Sequence, residues 1–260
     1  MNATRRKLAI ATWSAPSEGN IYGKLTLDAT KVLTYIAALR ERTGEKVTIG
    51  HLVGKAVALA LRAAPGLNGR IAFGRFIPHE TVDVTFLVAV EGGADLAKAK
   101  IERVDEKSLV DISRALRERA ERLRGGRDDE FEKSKGVVRM LPMWLLRPVL
   151  FLTGWLTAAL GIEMKAFGLE RFPFGSAVIT NVGVFGVDEG FAPPTPFARV
   201  PVLVLVGAVS DRPAVVDGQV VVRPQITITA TLDHRFIDGA QVAVLAKTVR
   251  GIFEEPERLG

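Results

Sequence analysis

The chain has three histidines, and one of them lies in the charged stretch "TLDHRFIDG" at residues 231–239. His234 stands between Asp233 and Arg235, directly after an alternating segment that predicts a strand. At the end of a buried strand an imidazole is held firmly while one ring nitrogen stays accessible, which suits a general base near neutral pH. The spacing alone leaves two roles open for His234: catalysis, or a packed histidine with both nitrogens hydrogen-bonded.

The residues that flank this histidine also have structural interpretations. Asp233 and Arg235 carry opposite charges, which predicts an ion pair that fixes the loop. Asp238 precedes the last predicted helix, and with Gln241 three residues later it matches a capping box. Gly239 at the first helical position allows close approach of another backbone. The stretch therefore fits a structural loop as well as the rim of an active site.

The other two histidines are weaker candidates for chemistry. His51 lies inside a predicted apolar helix and is interpreted as a packed residue, whereas His79 follows a proline in a loop without an obvious partner. Histidines spaced this widely do not match a metal-ligand pattern, and the chain has no cysteine, so we expect no metal. No G-x-S-x-G serine elbow, P-loop or dinucleotide fingerprint is present either.

Local signals predict the elements that position these residues. Asp28 is the predicted N-cap of a helix that stops at Gly44, and a second, buried helix follows Thr48 and ends before Pro65. Alternating segments bounded by glycines predict strands, and Asp217–Gly218 predicts the turn of an antiparallel hairpin. These elements mix along the chain without a repeat or a linker.

The mixture predicts an α+β fold, a mixed β-sheet flanked by helices, in a single domain over residues 1–260. In the second strand of the predicted hairpin, alternate residues from Ile226 to Leu232 are expected to face the core. Gln225 and the threonines between them are expected to face the other side. The strand that ends at the histidine is thus predicted to have one buried apolar face.

Composition narrows the classes of function. A chain of 260 residues with 48% hydrophobic residues can bury a sizeable core, and its formal charge of +6 fits nucleic acid, anionic lipid or a coenzyme with phosphates. In "RALRERAERLRGGRDDEFEK" the basic residues alternate with acids, which indicates a solvated helix face, and we expect no nucleic-acid partner. The absence of cysteine and of a long apolar run at the start predicts a cytoplasmic protein.

Residues 136–162, "GVVRMLPMWLLRPVLFLTGWLTAALGI", differ from the rest because nearly all of them are apolar. The uncharged part, Pro148–Ile162, is shorter than the roughly 20 residues of a membrane-spanning helix. A longer span would place Arg139 and Arg147 in the bilayer, which is costly. We therefore expect no membrane span, and instead two short helices broken near Pro148. Their apolar surface requires a cover, for which a neighbouring subunit, another trimer, a long acyl chain and a membrane face are the alternatives. We favour protein, as an added lid or contact near the active-site interface.

The stretch "DHRFIDG" resembles the D-H-R-x-x-D-G signature of the acyltransferase (E2) catalytic domain of 2-oxoacid dehydrogenase complexes, which shares its fold with chloramphenicol acetyltransferase. Further segments resemble this family in its own order, and together they cover most of the chain except its start and the apolar stretch. They are "LTLDATKVLTYIAALRE", "KVTIGHLVGKAVALALRAAPGLNGRI", "VDVTFLVAVEGG", "EKSLVDISRALRERAERLR" and "AVITNVGVFGVDEGFAPPTPFARVPVLVLVGAV". The resemblance therefore implies a chloramphenicol acetyltransferase-like fold with an apolar helical insertion around 136–162.

The resemblance also implies roles for individual residues. His234 would remove the proton from the thiol of coenzyme A or dihydrolipoamide, and the thiolate would attack a thioester carbonyl. Thr180 matches the hydroxyl position, most often serine in the family, that donates a hydrogen bond to the oxyanion. Asp238 matches the Asp/Asn position of the active-site loop, while Asn181 and Gly183 match residues of a turn.

The family further implies a homotrimer with the site between subunits, and a larger assembly of trimers remains open. The chain carries no lipoyl or peripheral subunit-binding domain, so we expect a stand-alone acyltransferase that uses coenzyme A as acyl-CoA and a lipoyl group on a separate carrier protein. Two other functions remain open: a non-enzymatic E2-like scaffold or cage, and a small-molecule O- or N-acetyltransferase.

Overall fold

The computed structural model describes residues 19–90, 95–126, 136, 138, 140–164, 167–237 and 239–259. The strands in these ranges are β1 (Asn20–Asp28), β2 (Gly69–Ala72), β3 (Arg75–Pro78), β4 (Val84–Val90), β5 (Asp95–Ile101), β6 (Ala177–Asn181), β7 (Val202–Val216) and β8 (Gln219–Asp233). The longer helices are α1 (Thr30–Thr43), α2 (Ile49–Ala63), α3 (Leu109–Arg124), α4 (Met143–Gly154) and α5 (Gly239–Glu254).

Six strands form one mixed sheet in the order β1-β8-β7-β6-β4-β5. β6 runs parallel to β4 and β7, and the remaining pairs are antiparallel. β2 and β3 form a separate hairpin. The main core lies between one face of the sheet and the helices, where Ile179, Val204 and Ile226 pack with residues such as Val32 and Leu52. This arrangement confirms the predicted α+β class.

The β7–β8 hairpin has the predicted turn and the predicted faces. Asp217 and Gly218 have φ angles of 50° and 78°, the left-handed values that a tight hairpin turn requires. Ile226, Ile228 and Leu232 are buried in the core. On the opposite face of the same strand Thr227, Thr229 and Thr231 are buried. The hydroxyls of Thr229 and Thr231 donate to the carbonyls of Gly190 and Ala192 in the irregular segment that covers this face.

The starts of the first two helices differ from each other. α2 begins directly after Thr48, as predicted, and the Thr48 side chain caps it. Asp28, the predicted cap of α1, is instead the last residue of β1, and the helix begins at Thr30 with Ala29 in the N-cap position. The prediction was wrong by one residue because the strand pairing continues to Asp28, whose carboxylate still accepts a hydrogen bond from the Thr30 N–H at 2.8 Å.

The apolar stretch is helical, but its break does not lie at Pro148 as predicted. The chain is helical at residues 136, 138 and 140 and again from Met143, so the helices separate at Leu141 and Pro142. Pro148 lies inside α4 and is exposed. A proline there removes one hydrogen bond, to the carbonyl of Trp144, and on an exposed helix face water can satisfy that carbonyl.

This apolar stretch packs against the β2–β3 hairpin and still exposes apolar side chains. Arg70 Nε donates to the carbonyl of Ala159 at 3.0 Å, and the rings of Phe73 and Trp155 meet edge to face. The outer side of α4 nevertheless leaves Trp144 77% exposed, with Phe151 and Leu152 also at the surface. Within the described ranges, none of the helices has both the length and the hydropathy that a membrane crossing requires.

Candidate active site

His234 lies where β8 leaves the sheet, and its backbone is fixed on two sides. The Asp233 N–H donates to the Pro201 carbonyl at 2.9 Å, and the His234 N–H donates to the Gly19 carbonyl at 3.2 Å. The His234 side chain is exposed, and no described residue forms a hydrogen bond or an ion pair with its imidazole. The ring is therefore presented from a firmly held backbone to a molecule outside the chain, as the general-base hypothesis requires.

Asp233 and Arg235 form the predicted ion pair. Arg235 Nε lies 2.9 Å from Asp233 Oδ1, and Arg235 Nη2 lies 2.5 Å from Asp233 Oδ2. The same carboxylate accepts the Arg235 backbone N–H at 3.0 Å. The Asp233 side chain is 17% exposed and the Arg235 side chain 64%. Because both the backbone and the guanidinium bind one carboxylate, the pair fixes the turn that carries the histidine between them.

The next residues anchor this turn to the core. Phe236 and Ile237 are buried, and the Phe236 ring meets Phe76 edge to face. Asp238 lies outside the described residues, so its predicted role in the loop and its capping box stay predictions. Gly239 is the first residue of α5, as the sequence predicts, but no described atom lies within 4 Å of the position of an added Cβ, so no backbone of this chain approaches it closely.

Thr180 lies in a contrasting environment, inside the buried part of β6. It is 9% exposed and aligns across the sheet with Leu205 of β7 and Thr229 of β8, on the face opposite the helices. In the part of the chain that the structure describes, no residue hydrogen-bonds the Thr180 hydroxyl. A hydroxyl donor held in a buried strand, yet without a described partner, fits the predicted role of oxyanion donor.

The residues after Thr180 pack their backbones closely, as the turn positions of the family imply. Asn181 ends β6 with its side chain against Gly50, where an added Cβ would lie 3.3 Å from the Asn181 amide nitrogen. A Cβ on Gly183 would collide with the Gly207 carbonyl of β7. Both contacts are structural, and they fix the end of the strand that carries the hydroxyl.

Within one chain the structure does not bring His234 and Thr180 together. β6 and β8 run antiparallel to each other, so the residues near their carboxyl ends lie at opposite edges of the sheet. His234 lies five residues beyond Thr229, the residue level with Thr180, and two strands away from it. At about 3.3 Å per residue and about 4.8 Å per strand the separation is about 19 Å. A base and an oxyanion donor must both contact the reacting group, so one chain alone does not form this site.

His51 and His79 both make structural contacts within the fold. His51 forms a capping box with Thr48, and burial together with the Arg40 guanidinium lowers the pKa of His51 to about 4. The ring of His79 packs edge to face on Phe172 with centroids 4.7 Å apart. Burial, followed by the Arg70 guanidinium, lowers the pKa of His79 to about 4 as well. The described residues hold no group of three or more metal-ligating side chains.

One cluster of charged and aromatic side chains could not be predicted from the sequence. Arg70, His79, Arg171 and Phe172 line a cavity of about 190 Å³ beside the β2–β3 hairpin. Arg70 and Arg171 are about 100 residues apart in the chain, and no spacing rule connects them. The only local signal was the histidine itself, which was interpreted as a loop residue without a partner.

Comparison with known proteins identifies the family of the chain and supports its fold. The family model described as 2-oxoacid dehydrogenases acyltransferase (catalytic domain) matches residues 2–138 and 164–260, and thus omits most of the predicted insertion. The dihydrolipoyllysine-residue acetyltransferase component of the acetoin cleaving system of Bacillus subtilis (strain 168) is 30% identical over 239 residues, which are 89% of this chain and 48% of that protein. The chain thus spans about half the length of this curated relative.

Two solved structures show the fold. A probable dihydrolipoamide acetyltransferase from Listeria monocytogenes 4b F2365 superposes with a TM-score of 0.70 at 20% identity, covering 98% of this chain and 93% of that one. A chloramphenicol acetyltransferase superposes with a TM-score of 0.52 at 10% identity, covering 97% and 96%. The family match over most of the sequence carries the conclusion: this chain belongs to the 2-oxoacid dehydrogenase acyltransferase family, as a catalytic domain.

Proposed function

We propose that the protein is a coenzyme A-dependent acyltransferase that moves an acyl group between coenzyme A and a thiol carrier such as dihydrolipoamide on another protein. We further propose that it works as a homotrimer whose subunits share the active site. The family membership supports the reaction class, and the curated relative from Bacillus subtilis is named as a dihydrolipoyllysine-residue acetyltransferase component. The exposed imidazole of His234 and the hydroxyl of Thr180 supply the two groups that this reaction needs.

The proposal of a shared site rests on one observation, that His234 and Thr180 lie at opposite edges of one sheet. A head-to-tail ring of identical chains brings one edge of each protomer against the other edge of the next. In such a ring the His234 edge of one chain faces the Thr180 edge of its neighbour. Three chains then form three equivalent sites, each with one base and one oxyanion donor.

Exposed apolar side chains at both edges support this contact. Near His234, Tyr22 is 59% exposed and packs edge to face on the half-exposed Phe191. Beyond the end of β6, Val184 is 69% exposed and Phe185 59%. Aromatic and aliphatic residues at the surface are typical of the centre of a subunit interface. The two edges thus offer complementary apolar surfaces in the places where a shared site needs them.

The chemistry follows from the two groups. The unprotonated His234 imidazole takes the proton of the thiol S–H, and the thiolate sulfur forms a bond to the thioester carbonyl carbon. The carbonyl oxygen becomes an oxyanion, to which the Thr180 O–H of the neighbouring chain donates. When this intermediate collapses, the bond to the original sulfur breaks, and His234 returns its proton to the departing thiolate. The base is thus restored, and the reaction is reversible between the two thiols.

Mixed trimers test the shared site. Chains with His234→Ala keep Thr180, and chains with Thr180→Val keep His234. In an equal random mixture, about one quarter of the sites in a head-to-tail ring pair an intact histidine with an intact threonine. We therefore expect about a quarter of the wild-type rate in a thiol-release assay with acetyl-CoA and dihydrolipoamide, far above either variant alone.

A second mixture serves as the control. Wild-type chains mixed equally with the double variant His234→Ala/Thr180→Val give about one quarter of the rate if the site is shared, and about one half if each chain holds its own site. A rate of one half, or a first mixture no faster than the mean of its parents, contradicts the proposal. Full transfer activity by the His234→Ala chains would show that His234 is not the base, whereas no transfer activity by the wild-type chains would favour the scaffold interpretation.

A further inference from the structure

The cavity beside the β2–β3 hairpin holds charged side chains that the proposed acyl transfer does not use. The guanidinium carbon of Arg70 lies 4.6 Å from the centroid of the Phe172 ring, and that of Arg171 lies 4.9 Å from the same centroid. His79 meets this ring edge to face. The Phe172 ring therefore contacts two guanidinium cations and one imidazole, and these side chains line a cavity of about 190 Å³.

Among the described residues, neither guanidinium group has a carboxylate within 4.0 Å, so neither forms a direct ion pair. Two acids also line the cavity, but Asp83 accepts the Arg103 backbone N–H at 3.1 Å and Glu80 is exposed. Arg70 and Arg171 stack on the same ring, so their positive charges are close together, and burial followed by the charge of Arg171 lowers the pKa of Arg70. Among the described residues, the Arg70 side chain donates one hydrogen bond, to the Ala159 carbonyl.

The cavity opens at the same edge of the sheet as His234. Its residue Ser176 directly precedes β6, whose first residue is level with Leu232 of β8 two strands away. Ser176 is therefore level with Asp233, at about 10 Å by the usual spacing of strands. The cavity is thus close to the proposed base but separate from it.

We propose that this cavity binds a phosphate group, held between the guanidinium groups of Arg70 and Arg171 and within reach of the His79 ring. Guanidinium forks bind oxyanions through paired, charge-assisted hydrogen bonds. Two forks and a neutral imidazole with one N–H donor match the three or four oxygens of a phosphate better than the two of a carboxylate. The anion also removes the repulsion between the two arginines. The site stands on the cavity alone; only its assignment to a phosphate of coenzyme A rests on the proposed function.

Calorimetric titration with inorganic phosphate at constant ionic strength tests the site in the whole protein. We expect the wild type to bind, and Arg70→Gln/Arg171→Gln to bind at least about tenfold more weakly. Arg75→Gln is the matched control, because Arg75 is an exposed arginine of the same hairpin that does not line the cavity. Its phosphate affinity should equal that of the wild type. Equal binding by the double variant, or no binding by the wild type, overturns the proposal.

A second readout guards against misfolding of the double variant. Arg171 is exposed, so Arg171→Gln alone should fold and weaken phosphate binding. In the wild type, phosphate should shift the imidazole proton resonances of His79 and leave those of His51 unchanged. Unmoved His79 resonances at saturating phosphate contradict the assigned cavity.

A competition experiment with coenzyme A then shows which molecule supplies the phosphate group. If coenzyme A displaces inorganic phosphate and loses affinity in the arginine variants, the substrate supplies the group. If it does not compete, a separate phosphorylated molecule is the ligand. His234→Ala should abolish acyl transfer without changing phosphate affinity, so a failure of the proposed reaction and a failure of this site give different results.

Discussion

The two edges of the central sheet differ in nearly every physical respect. At one edge His234 is exposed, on a turn that an ion pair and backbone hydrogen bonds hold in place. At the other edge Thr180 is buried in β6, and the backbone beyond it packs glycine against backbone at Gly183 and Gly207. A base must meet an incoming thiol, whereas an oxyanion donor works best where it is rigid and shielded from water. The difference therefore fits the proposed division of the reaction, with the base at one edge and the oxyanion donor at the other.

Because the two edges differ in burial, substitutions at them should differ in their effects on the reaction rate and on stability. Side chains at the exposed edge contribute little packing, so changing them should alter the rate and leave the free energy of unfolding nearly unchanged. Side chains at the buried edge belong to the packing of the sheet, so changing them should alter both quantities. Three substitutions examine this contrast, in order of the expected effect.

The largest effect is expected for His234→Ala. A positioned general base contributes about 10² to 10⁴ in rate, so acyl transfer should fall by that factor. The melting temperature should stay close to that of the wild type, because the exposed imidazole has no described partner to lose. Steady-state thiol release and thermal denaturation measure the two. A rate within a few-fold of the wild type would mean that His234 is structural.

Thr180→Val tests the buried edge, and Thr180→Ser is its matched control. Valine keeps the shape and removes the O–H donor, which should lower kcat by up to about 10² to 10³. Serine keeps the hydroxyl and should cost far less rate, although it removes a buried methyl group and should lower the melting temperature. If the serine and valine variants turn over equally, the hydroxyl has no part in the reaction and Thr180 is an ordinary strand residue.

The smallest effect is expected for Arg235→Gln. An ion pair with an exposed partner contributes about 0 to 1 kcal/mol, so kcat/KM should fall by at most about fivefold. The Arg235 guanidinium braces the turn through Asp233, so added ethylguanidinium should restore part of the loss. Arg258→Gln breaks a comparable exposed pair with Glu255 far along the chain and should leave the rate unchanged. Equal losses in both variants would show a general effect of charge rather than bracing of the turn.

Local features of this fold could be predicted from the sequence, because they depend on neighbouring residues. The hairpin turn at Asp217–Gly218, the faces of β8 and the pair between Asp233 and Arg235 all follow from alternation, turn preferences and charge. The helix break was misplaced because the sequence does not show that Pro148 lies on an exposed helix face, where its missing hydrogen bond costs little.

Features that depend on strand order could not be derived from local pattern. The opposite positions of His234 and Thr180 follow from the parallel pairing of β6 with β7 and the antiparallel pairing of β7 with β8. Only the resemblance to a known family implied a site between subunits. The cavity beside the β2–β3 hairpin was missed for the same reason, since Arg70 and Arg171 stack on one ring only after the hairpin has packed against the segment that follows the apolar stretch.

If His234 and Thr180 have the proposed roles, a single chain that carries them about 19 Å apart, by the usual strand dimensions, has no complete site. The first active unit would then be the proposed closed trimer, so at low concentration the number of active sites would grow with nearly the third power of the number of chains. Newly made or diluted chains would fold without consuming the acyl thioester. The proposed trimer thus implies a concentration threshold, below which the protein would be present and inactive.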